Sequence, residues 1–339
     1  MNGTHRLLVA ALCALASGVQ GQEGVEGVES GDTIASMVAQ SRHAATDVIR
    51  HASGAFGRGA FTTRQSAEIL LTQLDIAEQA LQGKKVADLS DVQRSFFIGT
   101  RNTVEDMRRT SRYSTNKAHM LSAQADSLIE TLPGANEAPR VLDFSPRYLL
   151  ASGRPTKVGV VIDGSWLGSG DPTLSIAGKS CERDGQSESR LSFTCALDPA
   201  TGGSQLTWVT LRLAAFRGRS WWESLLGVFQ EAPAPTRYEV GIAQIPAVLG
   251  HFAADARVAA EDTVVPVAIG DLAWGVERSV DLPDHVSYLT LHATLIDGVA
   301  YEDSSVAAPP RGWYAASIDL PHRKLVIRPR NLEAVLSNP

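Results

Sequence analysis

The run Leu128-Ile-Glu-Thr-Leu132-Pro133-Gly134-Ala-Asn-Glu-Ala-Pro139 holds the first prolines of the chain and divides it into two kinds of structure. Before Pro133 there is neither proline nor tryptophan, and all 16 prolines and all six tryptophans lie from that point on. Proline removes a backbone N–H and breaks a helix interior, yet turns and sheet edges tolerate it. The first part is therefore predicted to be helical and the second to be strands and turns. A single repeating architecture over all 339 residues is excluded, and the length suits two or three domains.

Upstream of the boundary, the spacing predicts three helices across residues 32–133. Asp32 is placed to cap the first, whose apolar face is Ile34, Met37, Val38, Ala45, Val48, Ile49 and Ala52. A glycine-dense turn, Gly54-Ala-Phe56-Gly-Arg-Gly59, ends it. Thr62 and Gln65 read as a capping box opening a second helix with Ala67, Leu70, Leu71, Leu74, Ala77 and Leu81 on one face, and Gly83 ends it. Ser90 and Gln93 form another box and open a third helix. That helix is expected to run unbroken to Leu132, roughly 60 Å, because neither glycine nor proline falls in its weakly apolar middle, Ser111-Arg-Tyr-Ser-Thr-Asn116. A break in that middle is the competing reading. The three helices are expected to form an antiparallel bundle that serves as a spacer or an oligomerisation surface.

Downstream, the period changes to two. Alternation over 157–162, 173–177, 190–195, 205–213 and 238–243, then over 263–268, 288–295, 313–318 and 324–328, predicts short strands between turns. The expected fold class is thus multidomain α plus β: a helical bundle followed by two immunoglobulin-like β-sandwiches, residues 140–247 and 248–335.

Within the first of these, Phe144-Ser-Pro146, Val160-Val-Ile-Asp-Gly164-Ser-Trp166-Leu-Gly168, Pro172-Thr-Leu-Ser-Ile-Ala-Gly178-Lys-Ser-Cys181 and Leu191-Ser-Phe-Thr-Cys195 resemble the IPT/TIG family of immunoglobulin-like domains. The resemblance covers about 60 to 100 residues and implies a binding or spacing module rather than a reaction. The segment about 215–236 is an insertion that the compact family pattern lacks.

The amino terminus carries Arg6 and then the apolar run Leu7–Ala16, the outline of a secretory signal peptide over residues 1–21, followed by a Gly/Glu-rich leader, 22–31. Cleavage is expected after Gly21 in preference to Ala16. The run is too short for a permanent membrane anchor. Cys13 leaves with the signal, so Cys181 and Cys195 remain as one expected disulfide closing a loop of about 15 residues. The Ala-rich, Lys-poor composition suits a bacterial protein, hence a periplasmic or secreted one. A net charge of −6 provides no basic footprint for nucleic acid.

The insertion packs Trp221, Trp222, Leu225, Leu226, Val228 and Phe229 into about nine positions, between Arg217 and Arg219 on one side and Pro233 and Pro235 on the other. So apolar a segment must bury itself against its own chain, a partner or lipid. Trp221, Trp222, Leu225, Leu226 and Phe229 are the candidate contact loop, and Phe56 and Phe61 at the helical turn are a weaker contact tip. Trp166, with Trp221 and Trp222, is a candidate platform for stacking on sugars.

Catalytic and metal motifs are missing from the sequence, and no cofactor is expected. Ser114-Thr-Asn-Lys117 has Ser-x-x-Lys form without companion motifs. His285 and His292 are seven apart, an odd spacing that puts them on opposite faces of a strand. Glu302 and Asp303 are expected in a solvated loop. The expected function is a non-catalytic interaction protein whose partner is an envelope or extracellular protein or a glycan. A carbohydrate-binding protein, a membrane-active protein using loop 217–229, and the accessory domains of an unrecognised hydrolase are the alternatives.

Overall fold

The computed structural model describes residues 33–110, 113–198, 205–218, 234–259, 262–298, 300–303, 312–319 and 321–337. The expected signal peptide, leader and Asp32 cap lie outside the described residues, as do Trp221, Trp222, Leu225, Leu226 and Phe229. Among the described residues, four α-helices precede the strands and a short one follows them, and the fold is α plus β.

Helix α1 (Ile34–Ser53) is capped by Thr33, whose side chain accepts from the Ser36 N–H while the Ser36 hydroxyl oxygen accepts from the Thr33 N–H. Helix α2 (Arg58–Ala80) starts a full turn earlier than expected. Gly57, at φ 142°, makes the turn that other residues resist, and the chain enters the helix directly after it. The expected box at Thr62 and Gln65 therefore does not form. Thr62 donates to the Arg58 carbonyl at 2.9 Å inside the helix, and Gln65 is buried.

The third helix is two helices, α3 (Asp91–Thr110) and α4 (Thr115–Glu130). The Ser90/Gln93 box does open α3, with bonds of 3.0 and 3.3 Å. The expected continuity fails because Ser114 is an N-cap, its hydroxyl accepting from the Lys117 N–H. Met107 and Leu121 would stand about 21 Å apart along one straight helix. Folded back, both are fully buried in one cluster with Val48, Ala67 and Val104.

One pair of sheets follows. The first has strand order β1 (Arg140–Ser145), β3 (Thr156–Ser165), β7 (Arg190–Leu197), β6 (Glu182–Gln186). The second runs β2 (Tyr148–Leu150), β9 (Thr236–Ile245), β8 (Thr207–Ala215), β4 (Thr173–Ile176), β5 (Lys179–Ser180). Val160, Ile162 and Phe193 of one sheet meet Leu211, Leu213 and Val240 of the other in a shared core. Cys181 and Cys195 form the expected disulfide at the margin of this core.

A second pair of sheets has orders β11 (Thr263–Ala273), β10 (Val248–Val258), β13 (Val286–Leu295), β14 (Ala300–Asp303), and β12 (Arg278–Asp281), β16 (Lys324–Pro329), β15 (Tyr314–Asp319). Phe252, Leu291, Leu325 and Ile327 lie in its core, with Val335 and Leu336 of the short helix α5 (Leu332–Ser337). Glu302 and Asp303 are expected in a solvated loop. They belong instead to strand β14, with Glu302 opposite His292, because the turn at Gly298 (φ 77°) folds the chain straight back onto β13.

Helix α2 joins the two halves. Phe61, Gln65, Ile69 and Gln73 recur every four residues and form one stripe against the sheets. Leu70, Leu74 and Ala77 turn the opposite way, toward α1 and α4. Ile69 enters the core between the first two sheets. The helices thus lie along the β half, and α2 contributes to the core of each pair of sheets and to the cores among the helices.

Candidate functional site

The site begins where β3 ends. Trp166 takes a left-handed backbone, φ 59°, and is 44 % exposed. A bulky residue rarely adopts that conformation, which costs about 1–2 kcal/mol. The residues around it are held firmly. Leu167 is buried in the core, and its N–H donates to the Glu188 carbonyl at 3.0 Å. The Gln186 side-chain amide donates to the carbonyls of Leu167, Gly168 and Gly170, at 3.2, 3.0 and 3.4 Å. Gly164 passes so close to the Arg140 carbonyl that a Cβ would stand 2.0 Å from its oxygen. A rigid turn thus holds an indole outward, and Trp166 makes no ring contact with another described aromatic.

The same turn touches the start of the insertion. Ser169 donates to the Phe216 carbonyl at 3.4 Å, and a Cβ on Gly170 would meet Phe216 at 2.7 Å. Gly218 lies against Ser169 and Gly170, and Arg217 forms an ion pair with Glu137. The turn that follows Trp166 therefore packs against Phe216 and Gly218, the described start of the segment 215–236. Glu188 lines this end too, its carboxylate within 2.4 Å of where a Gly168 Cβ would sit.

Phe56 and Phe61, expected as a weaker contact tip, face inward. Phe61 is fully buried, edge-on to Trp208 with ring centres 5.7 Å apart. Phe56 stacks on Trp274 at 6.1 Å and leans on Trp313 at 5.1 Å. The turn they bracket packs against the second pair of sheets, with Phe61 fully buried and Phe56 half-buried there.

The remaining motifs resolve into structural roles. Ser114 is a helix cap, and Lys117 pairs with Asp106. His285 sits in a left-handed turn before β13 at φ 58°, and His292 bonds Asp255 at 3.1 Å. Among the described residues no group of three or more His, Cys, Asp or Glu could hold a metal ion. Among those residues, too, no helix is long and apolar enough to cross a membrane. A groove of about 300 Å³ between α1 and α3 is lined by Ala44, Val104, Asp47 and Glu105 among others.

Sequence reading missed a polar constellation under α2. Glu68 accepts from Arg64 at 2.7 Å and from the Gly241 N–H of β9 at 2.6 Å. The Arg64 guanidinium lies 3.9 Å over the Trp208 ring. Burial, opposed by Arg64, pushes the Glu68 carboxyl above its usual range. Tyr238 clamps the end of the junction 128–139, its hydroxyl donating to the Pro139 carbonyl at 3.1 Å and accepting from the Val141 N–H at 3.3 Å. Burial raises its phenol pKa.

No protein-family model matches the chain, and no curated protein matches it. A solved structure from Bacteroides thetaiotaomicron, described as a candidate phosphatase, is similar over 49 % of this chain and 34 % of its own, at 10 % identity and a TM-score of 0.18. The matched region thus spans about a third of that protein, and a score so low carries no argument about fold or activity.

Proposed function

We propose that this protein is an exported, non-catalytic interaction protein that recognises an extracellular or envelope partner through the loop end at Trp166. The observation that carries this reading is an exposed indole in a left-handed backbone, on a turn fastened by Gln186 beside the root of the Trp-rich insertion. Strained, exposed and rigidly supported positions cluster at functional sites. The reading takes residues 140–247 as an IPT/TIG-like immunoglobulin domain, 248–335 as a second immunoglobulin-like sandwich and 32–133 as a helical bundle that supports them. Two facing sheets about Phe193 and two more about Phe252 support it. The disulfide supports an oxidising compartment, periplasmic or extracellular. The helices are also the proposed surface for self-association.

A glycan is the second reading of the ligand. It is favoured by the unstacked face of Trp166 with the Glu188 carboxylate nearby, since sugars stack on indoles and donate hydroxyls to carboxylates. The test is binding of the purified mature protein to a glycan array and to immobilised envelope proteins, with Trp166→Ala as control. Binding to either class that falls at least tenfold in Trp166→Ala supports the site. Equal binding by both proteins removes it, and leakage of liposomes on addition would instead favour a membrane-active protein.

A further inference from the structure

Among the described residues, most of the β9 edge facing away from β8 has no strand beside it, since β2 pairs only with Ala243–Ile245. Helix α2 occupies that edge and replaces the strand with side chains. Gln65 donates to the Gly241 carbonyl at 3.2 Å, Thr72 to the Arg237 carbonyl at 3.4 Å, and the Gly241 N–H donates to Glu68 at 2.6 Å. Gln73 does the same for β1, donating to the Val141 carbonyl at 3.0 Å. Helix and strand pass close at Gly241, where a Cβ would meet the Arg64 guanidinium at 3.0 Å.

Two carboxylates sit in this seam. Glu68 of α2 faces Arg64 on its own helix, and Glu239 on β9, which is itself held by Arg212 of β8 at 2.8 Å. Asp126 of α4 faces the buried Arg140 of β1 at 2.8 Å, Glu130 on its own helix and the Tyr238 phenol of β9. We propose that the seam between the helices and the edges of β1 and β9 is a proton-sensitive lock: with Glu68 and Asp126 neutral the helices stay down on the strand edges, and with both charged they lift more often.

The physical reason is desolvation. Docking removes water from both carboxyls, and the buried charge costs more than is returned by Arg140 to Asp126, or by Arg64 and the Gly241 N–H to Glu68. Burial is the leading cause at both groups and raises both carboxyls above their usual range. A group that holds its proton more firmly when docked than when lifted makes docking take up protons. The added hold is therefore fully present below the ordinary carboxylate range, and it is lost as pH climbs through the raised values.

The test is amide hydrogen exchange of the full mature chain across pH 4 to 8, corrected for the intrinsic pH dependence of exchange and read on peptides from α2, β1 and β9. Protection of these segments is expected to fall about tenfold for each unit by which docking raises the carboxyls, while β13 stays constant. Glu68→Gln keeps an acceptor for the Gly241 N–H and mimics the neutral acid, so it should hold its protection at high pH and flatten part of the profile. Asp126→Asn should flatten another part. A wild-type profile that is flat, or that rises with pH, overturns the proposal without any variant. An unchanged slope in both variants overturns the assignment to these residues.

Discussion

The Gln73 side-chain amide donates to the Val141 carbonyl at 3.0 Å, so a helix side chain fills the place of a strand beside β1. Gln65 does the same for Gly241 at 3.2 Å, two turns earlier on the same stripe. Replacing either glutamine by leucine leaves a buried carbonyl without a donor. Each change is expected to cost about 1–3 kcal/mol. Urea unfolding of the single variants measures it, and a cost near zero would mean that water reaches those carbonyls.

Phe61 belongs to the helices by sequence and to the second pair of sheets by packing. It is fully buried among Trp208, Tyr148 and Phe56. Phe61→Ala is expected to cost about 3–5 kcal/mol, as for large cavities in cores. Loss of near-ultraviolet circular dichroism from the tryptophans at unchanged helix content would locate the damage at the seam. Damage confined to the helices would contradict the packing.

The helix faces legible in the sequence were those made of aliphatic residues, such as Leu70, Leu74 and Ala77. The second face of α2 was not, because Gln65 and Gln73 look solvent-bound until a strand edge is placed beside them. Strand β10 escaped for a related reason. Its inward positions include Ala254 and Ala256, too small to make alternation visible. The break at Ser114 carried a readable signal, a serine able to cap, that the absence of glycine and proline outweighed. At the candidate site Trp166 was visible as a residue. Its nearness to the insertion was not, since the contact of Gly170 with Phe216 joins residues 46 apart.

The disulfide closes a loop between β6 and β7 with a sequence separation of 14, and Cys195 is fully buried. Reduction is expected to lower stability by roughly 3 kcal/mol in the chain-entropy picture. Guanidinium unfolding with and without a reductant measures this. Because the bridge lies at the margin of the first pair of sheets, the loss should appear there first. Exchange protection of the helices that collapsed before that of β7 would contradict it.

Trp166 separates stability from recognition. Its backbone at φ 59° is one that asparagine tolerates and tryptophan resists, at a cost of about 1–2 kcal/mol. Its ring is 44 % exposed, so removing it forfeits little burial. Trp166→Asn is therefore expected to match or exceed the parent in stability, by up to about 1 kcal/mol, while binding falls at least tenfold. Thermal unfolding and binding titration on the same sample read the two effects together. A variant that is both less stable and undiminished in binding would mean that the indole serves the fold, and the recognition site would have to be sought elsewhere on the molecule. A gain in stability with a loss of binding is the outcome that the proposed recognition role predicts for this exposed ring.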